Sequence, residues 1–407
     1  MKYLLYSALA LLLCIAFINA QKPAYCQAPL AAPSANTNNM NLEMVQILMR
    51  HGDRTPLYST LLSNMDQWDC SLSTYMLPSQ SSQQNALSNV NRLFRKVYMP
   101  NREYLPGNCS VGQLTSLGFE QHLQLGQTFQ SLYIEKYGLL SSQLDPNVMY
   151  FRSTDVPRTL QSAQAHITAL YPSNSNPGII NLNTMDSYFE DMSPNALLCP
   201  EYGILVQNTT TTADYIQFES ENAQFKQQLM TTLGVNVFPG WSGVMDLFFA
   251  TQCHDLPLPQ GISQADVDKV YANAIWQWKY QLSFPIVARL GSSPFLNELV
   301  NNIKAFLQGQ TSVKYFLFSG HDDSVGPLVN LFGLLVDWPP YASHVELELW
   351  SDSSNDKYIQ FKYNGESYVL DGCSDVMCPV DDFIEIAYSL LVPDYIDACS
   401  NSTSLFF

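Results

Sequence analysis

The order of strand-like and helix-like segments constrains the fold of this 407-residue chain more than any other feature of the sequence. Mostly apolar runs of strand length occur on either side of a long middle stretch, at residues 43–49, 148–151, 313–318, 345–349 and 359–363. Between about residues 195 and 300 the pattern is instead helical, at 215–233, 262–280 and 295–307. Strands on both sides of a helical middle predict an α/β fold, with a mixed central sheet, helices on both of its faces and an inserted, mainly helical cap domain.

The same pattern gives the expected domain boundaries. Residues 42–194 and 301–407 are assigned to one α/β domain, and residues 195–300 to the helical cap domain. Residues 21–41, which are rich in Pro, Ala, Ser and Asn towards their end, are expected to form a leader segment.

The N-terminus has the features of a secretory signal peptide at residues 1–20. Lys2 supplies a positive charge, an apolar run extends from Leu4 to Ile18, and the segment ends at the small residue Ala20. The run is shorter than the roughly 20 residues that a membrane span needs, and no second run of that length follows. We therefore expect a secreted or lysosomal lumenal protein without stable membrane insertion. An uncleaved anchor is the alternative.

The charge balance limits the partners that the chain can have. Acidic residues outnumber basic ones 36 to 19, which gives a formal net charge of −17. Nucleic acids and anionic membranes bind basic surfaces, so the sequence argues against both as partners. A site for an anionic substrate would have to concentrate a few arginines locally.

Such a concentration occurs in Arg50-His51-Gly52-Asp53-Arg54-Thr55-Pro56, directly after the first strand-like run. Ligands of α/β proteins collect at the carboxyl ends of strands, where this motif is expected to lie. A neutral imidazole of His51 could act as a nucleophile, and the guanidinium groups of Arg50 and Arg54 suit phosphate oxygens. The motif therefore indicates a phosphate site with a histidine nucleophile. The alternative is a surface arginine pair around a structural histidine.

Further motifs follow in the same chain, and together they carry a resemblance to a known family. They are Gly112-Gln113-Leu114-Thr115, Arg152-Ser153-Thr154-Asp155-Val156-Pro157-Arg158-Thr159, Ser319-Gly320-His321-Asp322 and Pro339-Pro340-Tyr341-Ala342-Ser343. In this order, the blocks resemble those of the histidine acid phosphatases, a branch of the phosphoglycerate-mutase-like superfamily that includes prostatic and lysosomal acid phosphatases.

The resemblance implies a role for each matching residue. His51 would be the catalytic residue that becomes phosphorylated, and Asp322 would be the catalytic acid that protonates the leaving oxygen. The residues implied to bind the phosphate are Arg50, Arg54, Arg158 and His321. No cofactor and no metal are implied. Arg152 is expected to be structural, and Asp323, which follows Asp322, is expected to point away from the site.

The function expected from the resemblance is hydrolysis of a small phosphate monoester, favoured at acid pH because Asp322 must be protonated in the first step. A more selective phytase or lysophosphatidate phosphatase is the first alternative. A phytase holds several phosphates, and with 19 basic residues the chain has few to offer. A secreted signalling or binding protein that retains the fold is the second alternative. The resemblance also suggests a homodimer.

Eight cysteines lie outside the signal peptide, an even number that suggests disulfides in a lumenal protein. Cys373 and Cys378 are close in sequence, and the resemblance implies that they pair and that Cys199 pairs with Cys399. Cys70 and Cys109 are an expected extra pair. The partners of Cys26 and Cys253 stay open, because the usual partner position of Cys253 in the family is His344 here.

Three further sets of residues bear on function. Asn108, Asn208 and Asn401 begin tripeptides that match the acceptor pattern for glycosylation. The remaining histidines, at positions 122, 166, 254 and 344, have no metal-ligand spacing. We interpret His122 as structural and His254 as a surface residue beside a disulfide. Residues 240–243, which resemble a serine elbow only superficially, are expected to form a loop.

Overall fold

The computed structural model of the chain describes residues 22–58, 68–76, 94–95, 107–172 and 180–400. The signal peptide expected at residues 1–20 and the acceptor Asn401 lie outside these ranges. Within them, no helix is both long enough and apolar enough to cross a membrane.

The centre of the fold is a mixed sheet of seven strands. The strands described are, in chain order, β1 (Asn41–Arg50), β2 (Tyr75–Met76), β3 (Phe94–Arg95), β4 (Met149–Ser153), β5 (Tyr315–Gly320), β6 (His344–Ser351), β7 (Lys357–Tyr363), β8 (Glu366–Tyr368) and β9 (Cys378–Pro379). The order in the sheet is β4-β5-β1-β6-β7-β8, with β9 paired to β7, while β2 and β3 form a separate pair. The strands β4, β5 and β1 are parallel, and the remaining pairs of the sheet are antiparallel.

Successive side chains of β1 enter different apolar clusters on the two faces of the sheet. Met44 and Leu48 belong to one cluster, whereas Val45, Ile47 and Met49 belong to the other. Side chains alternate across a strand, so a strand that is covered on both faces is apolar at nearly every position. This is why the sequence shows a continuous apolar run here.

Helices cover both faces of the sheet. The described α-helices are α1 (Ser116–Phe129), α2 (Pro157–Leu170), α3 (Pro200–Thr209), α4 (Ala213–Leu233), α5 (Trp241–Cys253), α6 (Gln264–Leu282), α7 (Pro285–Leu307), α8 (Asp322–Leu331), α9 (Val380–Leu390) and α10 (Tyr395–Ser400). Leu125 of α1 and Ile167 of α2 pack in the cluster on one face. Leu299 of α7 and Val325 of α8 pack in the cluster on the other. The predicted α/β fold, with a mixed sheet and helices on both faces, is confirmed.

Six of the described α-helices, α2 to α7, lie between β4 and β5 in the chain. Helices α4 to α6 share an apolar cluster that includes Leu229, Phe248 and Val270, together with Tyr25 and Tyr341. The expected boundary between residues 300 and 301 falls inside α7, which packs on the sheet. The separation of the chain into a catalytic domain and a cap domain at residues 195–300 stays a prediction.

The described cysteines form four disulfides, two of which connect distant parts of the chain. They join Cys26 to Cys253, Cys70 to Cys109, Cys199 to Cys399, and Cys373 to Cys378. Three of these are the pairs expected above, and the fourth joins the two cysteines whose partners the sequence left open. It ties the leader to the end of α5. Several disulfides in one chain are typical of extracellular or lumenal proteins.

Candidate active site

The parallel pairing of β1 and β5 brings His51 and His321 together. Arg50, the last residue of β1, lies opposite Gly320, the last residue of β5. The backbone N–H of His51 then donates to the carbonyl of Gly320 across 2.9 Å. Each strand is therefore followed directly by a histidine at the same edge of the sheet. The two imidazole rings are 5.4 Å apart between centroids.

The imidazole of His51 is held in one tautomer. Its Nδ1 lies 2.7 Å from the carbonyl oxygen of Gly52. A carbonyl can only accept, so Nδ1 carries the proton and Nε2 keeps a free lone pair. Burial, followed by the positive charges of Arg158, Arg50 and Arg54, lowers the pKa of His51 well below its usual value. The ring is therefore neutral, which is the form that a nucleophile requires.

The loop after β1 is packed tightly against the start of α1. A Cβ atom on Gly52 would lie 2.2 Å from the carbonyl oxygen of Gly118, so only glycine fits there. Asp53 continues the contact: its carboxylate accepts from the hydroxyl of Thr115 across 2.6 Å, and Thr115 in turn caps α1 by accepting from Gly118 N–H. These contacts leave the backbone that carries His51 little freedom.

Arg50 is completely buried beneath the site. Its guanidinium lies over the rings of Tyr25 and Tyr341, at 4.9 and 4.4 Å from the centroids. It donates to the hydroxyl of Tyr25 at 2.7 Å and to the carbonyl of Pro339 at 2.5 Å. Its Nη2 also lies 3.1 Å from Oδ2 of Asp322. The orientation of this charge is therefore determined from several sides.

Arg54, the second arginine of the motif, forms an ion pair with a residue that the sequence did not point to. Its Nη1 lies 2.7 Å from Oδ1 of Asp246, which belongs to α5. The other oxygen of Asp246 accepts from the backbone N–H of Leu57 at 2.9 Å. Helix α5 thus contributes a carboxylate to the site and connects to the loop after β1.

Arg158 and His321 form a third pair. Arg158 is the second residue of α2, and its Nη2 donates to Nδ1 of His321 across 3.3 Å. The other ring nitrogen, Nε2, then carries the proton and donates to the hydroxyl of Thr154 at 2.9 Å. Burial, followed by the charge of Arg158, lowers the pKa of His321 to about 3. Like His51, His321 is neutral.

Asp322 begins α8, and its carboxylate is held from two sides. Oδ2 accepts from Nε1–H of Trp338 at 2.7 Å and faces Arg50. Burial disfavours the carboxylate, but the charges of Arg50 and Arg54 and the hydrogen bond from Trp338 outweigh it, so the pKa of Asp322 falls to about 2. In the unliganded site, Asp322 is an anion that offsets arginine charge.

Asp323 does not point away, as the sequence led us to expect: it lines the same cleft as Asp322. Both residues begin a helix, where successive side chains are turned by roughly 100°, and not an extended strand, where they would be opposed. The Asp323 carboxylate faces the open cleft and accepts from the hydroxyl of Ser193 at 3.1 Å. Although the residue is exposed to the cleft, the protein atoms around its carboxylate displace part of the surrounding water, and this desolvation, followed by the charge of Asp322, raises the pKa of Asp323 to about 6.

The cleft above these groups has a volume of about 260 Å³. Its polar residues include Arg54, Asp246, Asp322 and Asp323. Its apolar wall contains several rings, those of Tyr25, Tyr58, Trp278 and Trp338. A lining of charged and aromatic groups suits a small ligand with an anionic end.

Three buried donors lack an acceptor. The Nε–H groups of Arg50, Arg54 and Arg158 make no hydrogen bond within the part of the chain that the structure describes. A buried donor without a partner is costly. A phosphate or a similar oxyanion would supply oxygen acceptors, so the residues present fit such a ligand.

Arg152, the first arginine of its motif, is bound elsewhere. It pairs with Glu190, Asp191 and Glu298 at 2.9, 2.5 and 2.5 Å. A larger cavity of about 680 Å³ lies beside this cluster, but its only charged lining residues are Arg152, Asp191 and Glu298. That balance does not favour a phosphate, and Arg152 is a structural residue, as expected.

The other histidines have structural partners. Nε2 of His122 lies 3.1 Å from the carbonyl of Arg50, and Nε2 of His254 lies 2.5 Å from Oδ1 of Asp53. His254 is partly buried and supports the loop after β1, so it is more than a surface residue. Across the residues that are described, no group of His, Cys, Asp and Glu could hold a metal ion.

The described glycosylation acceptors, Asn108 and Asn208, are not among the residues that line the cleft, whereas Ser242 and Gly243 of the apparent serine elbow do line it. Asn108 is exposed, and its amide bonds to Cys70 N–H and to the Asp69 carboxylate. Asn208 is half-buried near the end of α3. Glycosylation stays a prediction. Residues 241–243 start α5, so the loop expected at 240–243 is wrong beyond Gly240, which precedes the helix.

Four residues of the site were not found from the sequence as site residues. They are Tyr25, Thr154, Asp246 and Trp338, which contact Arg50, His321, Arg54 and Asp322 respectively. Thr154 lies within a motif that was noticed, but the other three stand in stretches without any chemical signature. Their contacts depend on how the leader, α5 and the loop before β6 pack against the sheet.

The chain is similar to known proteins in both sequence and structure. Residues 41–364 match the family described as histidine phosphatase superfamily (branch 2). The chain is 61% identical over 394 residues to counting factor 60 of Dictyostelium discoideum, with 95% of each protein covered. It is 25% identical over 393 residues to lysophosphatidic acid phosphatase type 6 of Mus musculus, with 92% of each covered. The structure resembles Hafnia alvei phytase in complex with tartrate, with a TM-score of 0.59, 15% identity, and 90% of this chain and 99% of that chain covered. At this identity the structural match bears on the fold alone.

Proposed function

This chain belongs to branch 2 of the histidine phosphatase superfamily, and from that premise we propose that it is an acid phosphatase that hydrolyses phosphate monoesters through a phosphorylated His51. The observation that carries the proposal is the buried, neutral imidazole of His51, whose Nε2 is free and on which the charges of Arg50, Arg54 and Arg158 act. A phosphatase needs these two things together, a nucleophile and a concentration of positive charge.

In the first step, the lone pair of His51 Nε2 attacks the phosphorus atom. A P–N bond forms while the P–O bond to the leaving alcohol breaks, and the leaving oxygen takes a proton from the carboxyl group of Asp322. Nδ1 keeps its proton and its bond to Gly52, so that the carbonyl dipole stabilises the positive charge that develops on the ring. Arg50, Arg54 and Arg158 bind the phosphoryl oxygens, and His321 joins them by turning its Nε2–H from Thr154 to the phosphate.

In the second step, water attacks the phosphorus atom of phosphohistidine. The Asp322 carboxylate accepts a proton from this water while the P–N bond breaks. Inorganic phosphate leaves, and His51 returns to its neutral form with the proton still on Nδ1. Asp322 is thereby protonated again for the next cycle. Over the two steps, the carboxyl group of Asp322 acts first as an acid and then as a base.

The low pKa of Asp322 raises the question of how it gains a proton. In the unliganded site the positive charges of Arg50 and Arg54 keep it ionised. A bound phosphate monoester brings negative charge into the same field and removes this effect. The ester itself carries a proton below its second pKa, which is about 6, and can pass it to Asp322. The proposal therefore predicts activity that decreases as the pH rises above about 6.

The deciding experiment is release of phosphate from 4-nitrophenyl phosphate between about pH 4 and pH 8, for the native protein and for His51→Asn. We expect an acid optimum in the native protein and no activity in the variant. The matched control is His166→Asn, which removes another buried imidazole, bonded to Tyr315 on the sheet and remote from the cleft. The His166→Asn protein should keep its activity at every pH at which it is folded.

Trapping the intermediate tests the nucleophile directly. After a rapid quench with labelled substrate, the native protein should carry a phosphoryl group that is stable in alkali and labile in acid, as expected for phosphohistidine. Label that survives acid, or label on the His51→Asn protein, would refute the mechanism.

A second candidate function rests on one comparison. The 61% identical relative is named counting factor 60, a name that describes no reaction. A folded native protein without activity on any monoester would favour the signalling or binding role that the sequence left open. The intact set of His51, Arg50, Arg54, Arg158, His321 and Asp322 supports the enzyme.

The location and the assembly of the protein are also proposals. The disulfides suit an oxidising compartment, and with the expected signal peptide they support a secreted or lysosomal enzyme. The predicted acid optimum would suit the lysosomal lumen. The homodimer suggested by the family resemblance can be tested by sedimentation of the mature protein.

A further inference from the structure

The ion pairs of the cleft leave two charges without a partner. Arg50 pairs with Asp322, and Arg54 pairs with Asp246. Among the described residues, neither Arg158 nor Asp323 forms an ion pair with a residue of opposite charge. A phosphate group would complement the unpaired arginine. Asp323 would then be the one carboxylate of the cleft left without a cation.

Asp323 faces the space that the rest of the substrate would occupy. Its carboxylate lies on the open side of the cleft, and one hydrogen bond, from Ser193, holds it at 3.1 Å. The hydroxyl of Ser193 also contacts the hydroxyl of Ser324, at 2.6 Å. Asp323 is thus positioned by a neutral group, and its charge is not offset there.

The aromatic wall of the same cleft is held in place by packing and hydrogen bonding. The rings of Trp278 and Trp338 are 4.3 Å apart between centroids. Trp338 is fixed by its bond to Asp322. Trp278 packs so closely on Gly326 that a Cβ atom there would lie 2.0 Å from the indole. Tyr58 lines the same cleft and remains 43% exposed.

Resting on the proposed function, we infer that the substrate is a phosphate monoester of an amino alcohol or a quaternary ammonium alcohol, whose cation binds between Asp323 and the aromatic wall. A carboxylate attracts the cation through its charge, and the faces of indole and phenol rings attract it through their quadrupoles. The phosphate end is bound by Arg54, which lines the cleft, together with Arg50 and Arg158, which contact Asp322 and His321. The phosphate of such a zwitterion complements the unpaired Arg158, and its cation complements the unpaired Asp323.

The same charges oppose a polyphosphorylated substrate. The only basic residue among those described as lining the cleft is Arg54, which Asp246 already neutralises. A second phosphate group would meet Asp323 without a nearby free cation. The cleft therefore does not suit a substrate with several phosphate groups, although the chain resembles a phytase in fold.

The preference for a cation should depend on pH in a defined direction. Burial and the charge of Asp322 raise the pKa of Asp323, and the Ser193 bond and the charges of Arg158 and Arg50 oppose this, with a result of about 6. The hydroxyl of Tyr202 is the further titratable group that senses this carboxylate. A carboxyl group is ionised above its pKa, so the attraction for a cation is present above about pH 6 and is lost as the pH falls below it.

The test compares phosphocholine with 3,3-dimethylbutyl phosphate, its neutral isostere in which carbon replaces the ammonium nitrogen. For the native protein, the ratio of the two kcat/KM values should rise about tenfold between pH 4.5 and pH 7.5. For Asp323→Asn the ratio should be lower by about the same factor at pH 7.5 and should not vary with pH. Any effect of the substitution on the shared chemical steps cancels in the ratio.

Two controls separate this inference from its alternatives. Asp382→Asn removes the same charge from an exposed position on α9 and should leave the ratio unchanged, which excludes an effect of net charge. A ratio that is insensitive to Asp323→Asn overturns the inference. An equal loss of kcat/KM for both esters also overturns the inference, because Asp323 would then act on proton transfer and not on the cation.

Failure of the proposed function gives a different result. If neither these esters nor 4-nitrophenyl phosphate is hydrolysed, the phosphatase proposal fails, and calorimetric binding of phosphocholine to the native protein and to Asp323→Asn decides the inference by itself. Binding that weakens about tenfold in the variant supports it. Binding that is equal in both proteins, or absent from both, overturns it.

Discussion

Arg54 Nη1 lies 2.7 Å from Asp246 Oδ1, so the loop after β1 and helix α5 are joined by an ion pair beside the cleft. Both side chains are almost fully buried. The pair contributes to the net charge that a substrate meets. The positive charges of Arg50, Arg54 and Arg158 are balanced by the negative charges of three aspartates that line the cleft, Asp246, Asp322 and Asp323. A neutral cleft binds a single phosphate with less non-specific attraction for other anions.

Replacing Asp246 by Asn should therefore make the protein less stable and more dependent on anions. The buried guanidinium of Arg54 loses its partner, at a cost of about 3–5 kcal/mol in the free energy of unfolding. Inorganic phosphate should restore more stability to the variant than to the native protein and should inhibit it at lower concentration. Thermal unfolding with and without phosphate, and the inhibition constant, measure both effects. Equal stabilisation by phosphate in the two proteins would contradict this role of the pair.

Replacing Asp322 by Asn should separate substrates by their leaving groups. For an alkyl phosphate, we expect kcat to fall on the order of 10²–10⁴-fold, because the alkoxide leaves without a proton. For 4-nitrophenyl phosphate, whose phenolate is a good leaving group, the loss should be smaller. Steady-state kinetics with a series of leaving groups give the comparison. A loss that is the same for all of them would mean that Asp322 does not protonate the leaving oxygen.

Replacing Trp338 by Phe should change the pH dependence of kcat. The indole N–H stabilises the ionised form of Asp322. Without it the pKa of this carboxyl rises, and the alkaline limb of kcat moves to higher pH, by up to about one unit. Trp276→Phe is the control, since Trp276 stacks on Phe218 in the cluster of α4 to α6. An unchanged profile for Trp338→Phe would show that the bond does not affect the proton transfer.

The disulfide Cys26–Cys253 should contribute more to the free energy of unfolding than Cys373–Cys378. The first is separated by 227 residues in sequence and the second by 5, and closing a longer loop restricts the unfolded chain more. Replacing both Cys26 and Cys253 by Ser should lower the free energy of unfolding by about 2–4 kcal/mol. It should also reduce activity, because Tyr25, the neighbour of Cys26, bonds to Arg50. Denaturant unfolding of the two double variants tests this order, and the reverse order would refute it.

Buried neutral histidines should make stability decrease as the pH falls. Burial lowers the pKa of His122 to about 3, although its bond to Arg50 opposes this. Between about pH 6.5 and pH 3 the unfolded chain therefore binds a proton that the folded protein does not, and folding loses about 1.4 kcal/mol per pH unit for this residue. In His122→Asn the slope of unfolding free energy against pH should decrease by this amount. A slope equal to that of the native protein would mean that His122 is protonated when folded.

Much of the fold and the centre of the site could be predicted from local sequence. The apolar run of β1 is continuous because the strand is covered on both faces, and the motif that begins at Arg50 follows it without a gap. The strand before His321 has the same form. Once both runs are recognised as neighbouring parallel strands, their ends must meet, because the carboxyl ends of parallel strands lie at one edge of the sheet.

The tertiary structure alone decided what surrounds these residues. The sequence contained no sign that Asp246 would pair with Arg54, or that Cys26 would bond to Cys253, because these contacts join segments that are separated by about 200 residues and meet only when α5 packs against the loop after β1 and the leader. Asp323 was misjudged for a local reason: an extended backbone was assumed where α8 begins. The sequence by itself determined which groups can perform the chemistry. The packing of helices and loops determined the charges and rings around them, because side chains that are distant in the chain become neighbours only through the fold.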